Sequence, residues 1–166
     1  TRLVDSVKEG YDLSKEGPTI DADGYRQDAR GGVYVGVEDL YCGADAAYRL
    51  SCRYVTPNAW HASFVRKMFI RPDLSELANF APNFSILHAP EFQADPAKHG
   101  TRTSTFIVLN LAKRMILIGG TRYAGELKKS MFTVMNYLLP KQWVLSMHCS
   151  ANIGKDGDTA LFFGLS

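Results

Sequence analysis

Two dense apolar runs, Thr105–Leu111 and Met115–Ile118, are joined through the short link Leu111-Ala112-Lys113-Arg114, and a stretch with helical spacing follows them at once. Runs of that length and content are strands, and a link that short folds them back as a tight hairpin. Gly119-Gly120-Thr121 closes the second run. From about Ala124 to Leu139 the apolar residues Leu127, Met131, Val134 and Leu138 then recur on one helical face, and Pro140 stops the helix. A hairpin feeding a helix restricts the fold to sheets with helices packed on them.

The rest of the chain fits that pattern. Residues 1 to about 32 are rich in Gly, Asp, Lys and Arg without sustained periodicity, and read as mostly loop with a short helix. A β-rich stretch, Gly32–Val37, runs on towards Tyr41, and Gly43-Ala44-Asp45 is a turn signal before a second strand, Tyr48–Val55, with Leu50, Cys52 and Tyr54 on one face. Thr56-Pro57 reads as an N-cap and first helical residue. Trp60, Phe64 and Met68 then form a buried stripe on a helix ending before Arg71-Pro72. A short helix around Ser75–Phe80, a strand around Phe84–Leu87 and a loop over Asp95–Gly100 follow. Near the end, Trp143–His148 and Thr159–Phe163 are strand candidates around the loop Ile153–Asp158. Hairpins and strand–helix–strand units coexist, which indicates an α/β fold with a mixed β-sheet.

Composition narrows the function. A chain of 166 residues with 46% hydrophobic and 22% charged residues is ordinary for one globular domain. No apolar stretch has the length of a bilayer span, and the N-terminus has no apolar run of the signal-peptide kind. A net charge of +2 with interspersed signs leaves no footprint for nucleic acid. Cys42, Cys52 and Cys149 include no Cys-x-x-Cys spacing, so neither a zinc ribbon nor a disulfide framework is indicated, and a reducing cytoplasm is the expected location.

Three groups of residues carry candidate chemistry. Gly164-Leu165-Ser166 follows the buried-looking strand Ala160–Phe163, the position at which a phosphate-binding loop begins. A plain turn has the same appearance. Lys128-Lys129 stands on the helix after Gly119–Glu126. Adjacent lysines usually make a solvated face, but a buried lysine beside another cation and a metal has its pKa pushed down and can then ligate. Tyr123 and Lys129, six apart, converge only if Tyr123 precedes the first helical turn. His148 stands at a strand end in Met147-His148-Cys149-Ser150-Ala151-Asn152 with no acidic partner nearby, so a metal there needs ligands from elsewhere. Neighbours on a strand face opposite ways, which argues against Cys149 acting with His148 as a nucleophile. His61, His88 and His99 have no supporting pattern and read as surface or packing residues.

The stretches Lys67–Pro72, Arg114–Phe132, Met135–Pro140 and Met147–Asn152 through to Phe162-Phe163-Gly164-Leu165-Ser166 resemble, in order, the ATP-dependent phosphoenolpyruvate carboxykinases of bacteria and plants. The resemblance runs from about Tyr41 to Ser166 and is loose over residues 1 to 40. It implies a phosphoenolpyruvate-carboxykinase-like N-terminal domain. It also implies the gluconeogenic conversion of oxaloacetate and ATP to phosphoenolpyruvate, CO2 and ADP. Residue by residue, it makes Lys129 and His148 ligands of an active-site Mn2+, with Mg2+ accompanying ATP. Tyr123, Lys129 and, less directly, Lys128 would line the substrate site. Lys129, His148, Gly164, Leu165 and Ser166 would meet the nucleotide. No nucleic acid or membrane partner is implied.

Several of the family's parts do not occur in this sequence: the upstream Gly-Arg-Ser-Pro segment, the Lys and Thr of the phosphate loop, a third metal-binding Asp and the adenine pocket. The expectation is therefore a fragment, inactive alone, with residues 1–142 forming most of a substrate-binding domain and 143–166 opening a nucleotide-binding domain. The alternative is a non-catalytic ligand- or partner-binding module derived from the family. An unrelated P-loop kinase would account for Gly164 but leave Tyr123–Lys129 without a purpose.

Overall fold

The computed structural model describes residues 19–20, 26–27 and 36–164. The loop expected over most of residues 1–32, the first part of the strand expected from Gly32, and Leu165 and Ser166 lie outside the described residues. By its internal contacts the chain divides into two units, Thr1–Met131 and Phe132–Ser166.

In the first unit a two-residue ribbon pairs β1 (Thr19–Ile20) with β2 (Arg26–Gln27). The main sheet is mixed and has the order β3-β4-β5-β7-β6. Its strands are β3 (Gly36–Cys42), β4 (Leu50–Thr56), β5 (Phe84–Ala89), β6 (Phe106–Asn110) and β7 (Met115–Gly119). β3 with β4 and β6 with β7 are antiparallel, as the turn signals required, whereas β4, β5 and β7 run parallel. The parallel pairs are joined through α1 (Ala59–Met68), α2 (Leu74–Leu77) and α3 (Pro96–His99), the crossovers that parallel strands need.

Alternation decides the core. Leu40, Cys52 and Phe84 lie in one cross-strand row, and Tyr54, Ile86 and Ile116 in the next; all six are buried. α1 covers β3 and β4, with Val65 wholly buried and the Phe69 ring 4.9 Å from that of Tyr54. The opposite sheet face carries Val37, Val55, Leu87, Leu117 and Val108 in register across all five strands.

Four local expectations are corrected. α1 starts at Ala59, after Asn58, because Thr56 ends β4 and turns its hydroxyl to His88. Its buried face is His61, Ala62 and Val65 rather than Trp60, Phe64 and Met68; Trp60 and Met68 are exposed. A two-residue change of start turns a helix by about 200°, enough to exchange its faces. Asp95–Gly100 is not loop throughout: Asp95 accepts from the Ala97 amide and caps the single turn α3. Finally, Trp143–His148 is not a strand.

α4 (Gly125–Leu138) starts in the first unit and ends in the second, with Leu127, Met131, Val134 and Met135 buried and Leu138 only half-buried. Pro140 does not stop the chain's coil outright but sits within a 3-10 turn, Leu139–Gln142. In the second unit Trp143 takes a left-handed conformation with φ 60° and is almost wholly exposed. The Ser146 hydroxyl bonds the Asn136 side chain. The strands that do form are β8 (Ser150–Ile153) and β9 (Thr159–Phe162), an antiparallel hairpin exposed on both faces. Leu161, Phe162 and Phe163 are therefore exposed, not buried as their apolar run suggests.

Ile116 is wholly buried on β7, between β5 and β6 in the main sheet. Ile116→Ala is expected to cost about 2–5 kcal/mol, read as a lower urea midpoint at unchanged slope.

Candidate functional site

The carboxyl ends of the parallel strands β4, β5 and β7 gather at one edge of the sheet, where open α/β sheets bind ligands. What leaves β7 there is Gly120-Thr121-Arg122-Tyr123-Ala124. Gly120 has φ +70°, and a Cβ on it would stand 2.7 Å from the Ser104 carbonyl oxygen, so only glycine makes this exit.

Two backbone carbonyls of this segment are met by buried imidazoles. His88, on the inner face of β5, places Nε2 2.9 Å from the Thr121 oxygen, and His61, in the first turn of α1, places Nε2 2.9 Å from the Arg122 oxygen. A carbonyl only accepts, so each Nε2 carries a proton. The Thr56 hydroxyl lies 3.0 Å from His88 Nδ1, whereas His61 Nδ1 is buried without a partner. The two rings meet edge to face with centroids 4.5 Å apart. Burial pushes the His61 pKa down to about 4, with Arg122 and His88 adding to the effect and the Arg122 carbonyl opposing it. Burial also lowers that of His88, against the Thr121 carbonyl and the Glu91 carboxylate.

On the solvent side, Arg122 Nε bonds Glu91 Oε1 at 2.7 Å. The Tyr123 amide donates to the Thr121 hydroxyl at 3.1 Å, and the Tyr123 carbonyl accepts from the Glu126 amide at 3.1 Å as α4 begins. Tyr123 thus precedes the first turn, and its exposed ring lies with its centroid 4.9 Å from Lys129 Nζ, an ammonium against an aromatic face. This is the condition under which six-apart residues converge. Gly125 permits it: a Cβ there would stand 2.4 Å from the Tyr123 ring.

The other sequence-derived residues are placed separately. Lys128 is half-buried on α4. His148 is exposed in the irregular stretch before β8, not at a strand end, and its ring centroid is 5.8 Å from that of Phe132 in the same unit. Gly164 is exposed after β9. Cys42 is half-buried and Cys52 buried, which raises the Cys42 thiol pKa to about 11 and that of Cys52 further, so neither is poised as a nucleophile.

The family of phosphoenolpyruvate carboxykinases matches residues 25–166, which carries the likeness back beyond Tyr41. The chain belongs to the ATP-dependent phosphoenolpyruvate carboxykinase family. It is 58% identical over 130 residues to the phosphoenolpyruvate carboxykinase (ATP) of Brevibacillus brevis, covering 78% of this chain and 25% of that protein. The enzyme of Deinococcus radiodurans is 54% identical, with 78% of this chain and 28% of the relative covered. That of Thermus thermophilus is 55% identical, with 78% and 25% covered. The chain spans about a quarter of the length of these curated relatives.

The pair His61 and His88 is what sequence reasoning passed over. Phe84, Ile86 and His88 alternate onto the buried face of β5, so His88 was visible there. His61 was hidden by the misplaced helix start.

Two outcomes are expected. Gly125→Ala displaces the Tyr123 ring, seen as loss of NMR contacts between that ring and the Lys129 side chain, with stability changed by less than about 1 kcal/mol. Stability falls on acidification between the ordinary histidine pKa of 6.5 and about 4, because His61 stays neutral in the native state while the unfolded chain takes up the proton. The contribution is complete above 6.5 and lost as the pH falls through the native value, and acid unfolding by circular dichroism measures it.

Proposed function

We propose that this chain supplies the substrate side of an ATP-dependent phosphoenolpyruvate carboxykinase. The reaction is oxaloacetate plus ATP to phosphoenolpyruvate, CO2 and ADP. The carbon–carbon bond to the leaving carboxylate breaks, and its electron pair forms an enolate. The enolate oxygen then bonds the γ-phosphorus as the bond from that phosphorus to the ADP oxygen breaks. Such a transfer depends on positioning and on neutralising charge rather than on a covalent nucleophile. The single observation that carries the reading is the Tyr123–Lys129 pair beside the carboxyl ends of the parallel strands, in a chain of this family.

In this reading the Tyr123 ring lines the oxaloacetate/phosphoenolpyruvate site, Lys129 meets the substrate beside it, and Lys128 is its neighbour. Residues 1–142 belong to the substrate-binding domain. Residues 143–166 open the nucleotide-binding domain, where Gly164, Leu165 and Ser166 begin the loop around the ATP phosphates. The location proposed is cytoplasmic; no helix of the described residues is long and apolar enough to cross a membrane.

For the metal, membership of the family proposes His148 and Lys129 as ligands: an imidazole, and an amine once metal binding has displaced its proton, are donor types that suit Mn2+. Their number does not complete a site, since no group of three His, Cys, Asp or Glu that could hold a metal occurs among the described residues. When bound, the ion would neutralise the developing enolate and the transferred phosphoryl group. Mg2+ would accompany ATP.

Manganese titration followed by electron paramagnetic resonance tests the reading. The chain is expected to bind Mn2+ weakly, with binding lost in His148→Ala and in Lys129→Ala. In a protein of full family length, Lys129→Ala is expected to lower kcat by about 10²–10³-fold. Binding indifferent to both substitutions, with unchanged turnover, would overturn the assignment.

A further inference from the structure

A leucine or phenylalanine would fill the places of His61 and His88 without the cost of burying an imidazole. Two apolar residues, however, would leave the Thr121 and Arg122 carbonyls facing the buried side chains without these donors. The pair comes from distant parts of the chain, α1 and β5, and is backed by Thr56 at the end of β4. The two imidazoles meet two successive peptide units, and Thr56, whose hydroxyl also accepts from the Asn58 amide at 3.4 Å, stands behind His88.

Those two units lead directly into Tyr123. Fixing the Thr121 and Arg122 carbonyls fixes the peptide planes on either side of Arg122, and hence the direction in which the chain enters Tyr123. The Thr121 hydroxyl holds the Tyr123 amide, and the Glu91 carboxylate holds the Arg122 guanidinium from outside. The ring of Trp60 lies against that of His61, tilted by 37° with centroids 3.8 Å apart, and limits its rotation.

We propose that His61 and His88 are positioning residues of the substrate site, a pair of Nε2–H donors that orients the Thr121–Arg122 backbone so that the Tyr123 ring stands over Lys129. The inference rests on the reading that Tyr123 and Lys129 line that site. Neither histidine touches substrate. The charged and titratable groups facing the pair are Arg122 and Glu91, besides the two imidazoles themselves. Burial, more than these charges, keeps both rings available as neutral donors.

Long-range proton–nitrogen NMR of the unaltered chain at neutral pH should show both imidazoles neutral and protonated at Nε2. An Nδ1-protonated His61 or His88 would overturn the proposal. Substitutions then separate orientation from packing. The amide nitrogen of glutamine reaches the place of Nε2, and that of asparagine stops near Nδ1. His61→Gln and His88→Gln are expected to retain the contacts between the Tyr123 ring and the Lys129 side chain. His61→Asn and His61→Phe should lose them. Contacts that persist in folded His61→Phe, with only a lower melting midpoint, would reduce the pair to packing and overturn the proposal. If His61→Phe does not fold, the Gln and Asn variants decide by the same readout. Phosphoenolpyruvate binding with Mn2+, measured in parallel, separates the two levels. Binding left unchanged by Lys129→Ala in a protein of full family length removes the substrate reading, whereas the tautomers and the Tyr123–Lys129 contacts still decide the positioning.

Discussion

Two consecutive backbone carbonyls, those of Thr121 and Arg122, turn inward at the exit of β7, and the first unit is organised around satisfying them. A buried carbonyl without a donor costs about 1–3 kcal/mol. Here the donors come from side chains, the buried imidazoles on β5 and α1. That requirement explains several otherwise unrelated features. Thr56 is buried at the end of β4 because its hydroxyl serves His88. α1 is phased to bury His61 and leaves Trp60 half exposed. Gly120 is a glycine because the exit passes under the Ser104 carbonyl with positive φ.

The consequence reaches the surface. Once the segment is held from within by two histidines and from without by Glu91, Tyr123 has one way to enter α4. Gly125 leaves room for its ring to lie along the helix towards Lys129. The charged and aromatic groups of the candidate site are thus exposed, while the groups that aim them are buried. A ligand can approach the first set without disturbing the second. The second unit is built differently. Its hairpin β8–β9 has both faces exposed, and two strands alone bury too little apolar area to be stable in water by themselves. The relatives' chains are about three times as long as this one.

Much of the fold was legible in the residues, and for identifiable reasons. The hairpin β6–β7 announced itself because two apolar runs were separated by a link too short for anything else. The strands β4 and β5 were visible from their alternation, and α4 from its periodic Leu127, Met131 and Val134. The misreadings share a cause as well. Trp60, Phe64 and Met68 are apolar at helical spacing, but their helix begins two residues later than Thr56-Pro57 suggests. The apolar content of Trp143–His148 was mistaken for a strand, although the stretch has no partner among the described residues to pair with. Local pattern says what a segment prefers, not whether another segment stands beside it.

The sequence by itself determined the α/β class, the family and the list of chemically suggestive residues, because spacing, turn residues and ordered motifs are properties of the chain alone. It also stated the condition under which Tyr123 and Lys129 meet. Whether that condition holds was decided only by tertiary structure, since it depends on where α4 starts, and that start is held by His61 and His88 from elements 62 and 35 residues upstream of Tyr123. Which histidines matter was likewise invisible locally: an imidazole is a ligand, a surface group or a buried donor according to what faces it. Only folding brings the carbonyls of Thr121 and Arg122 to the rings that satisfy them.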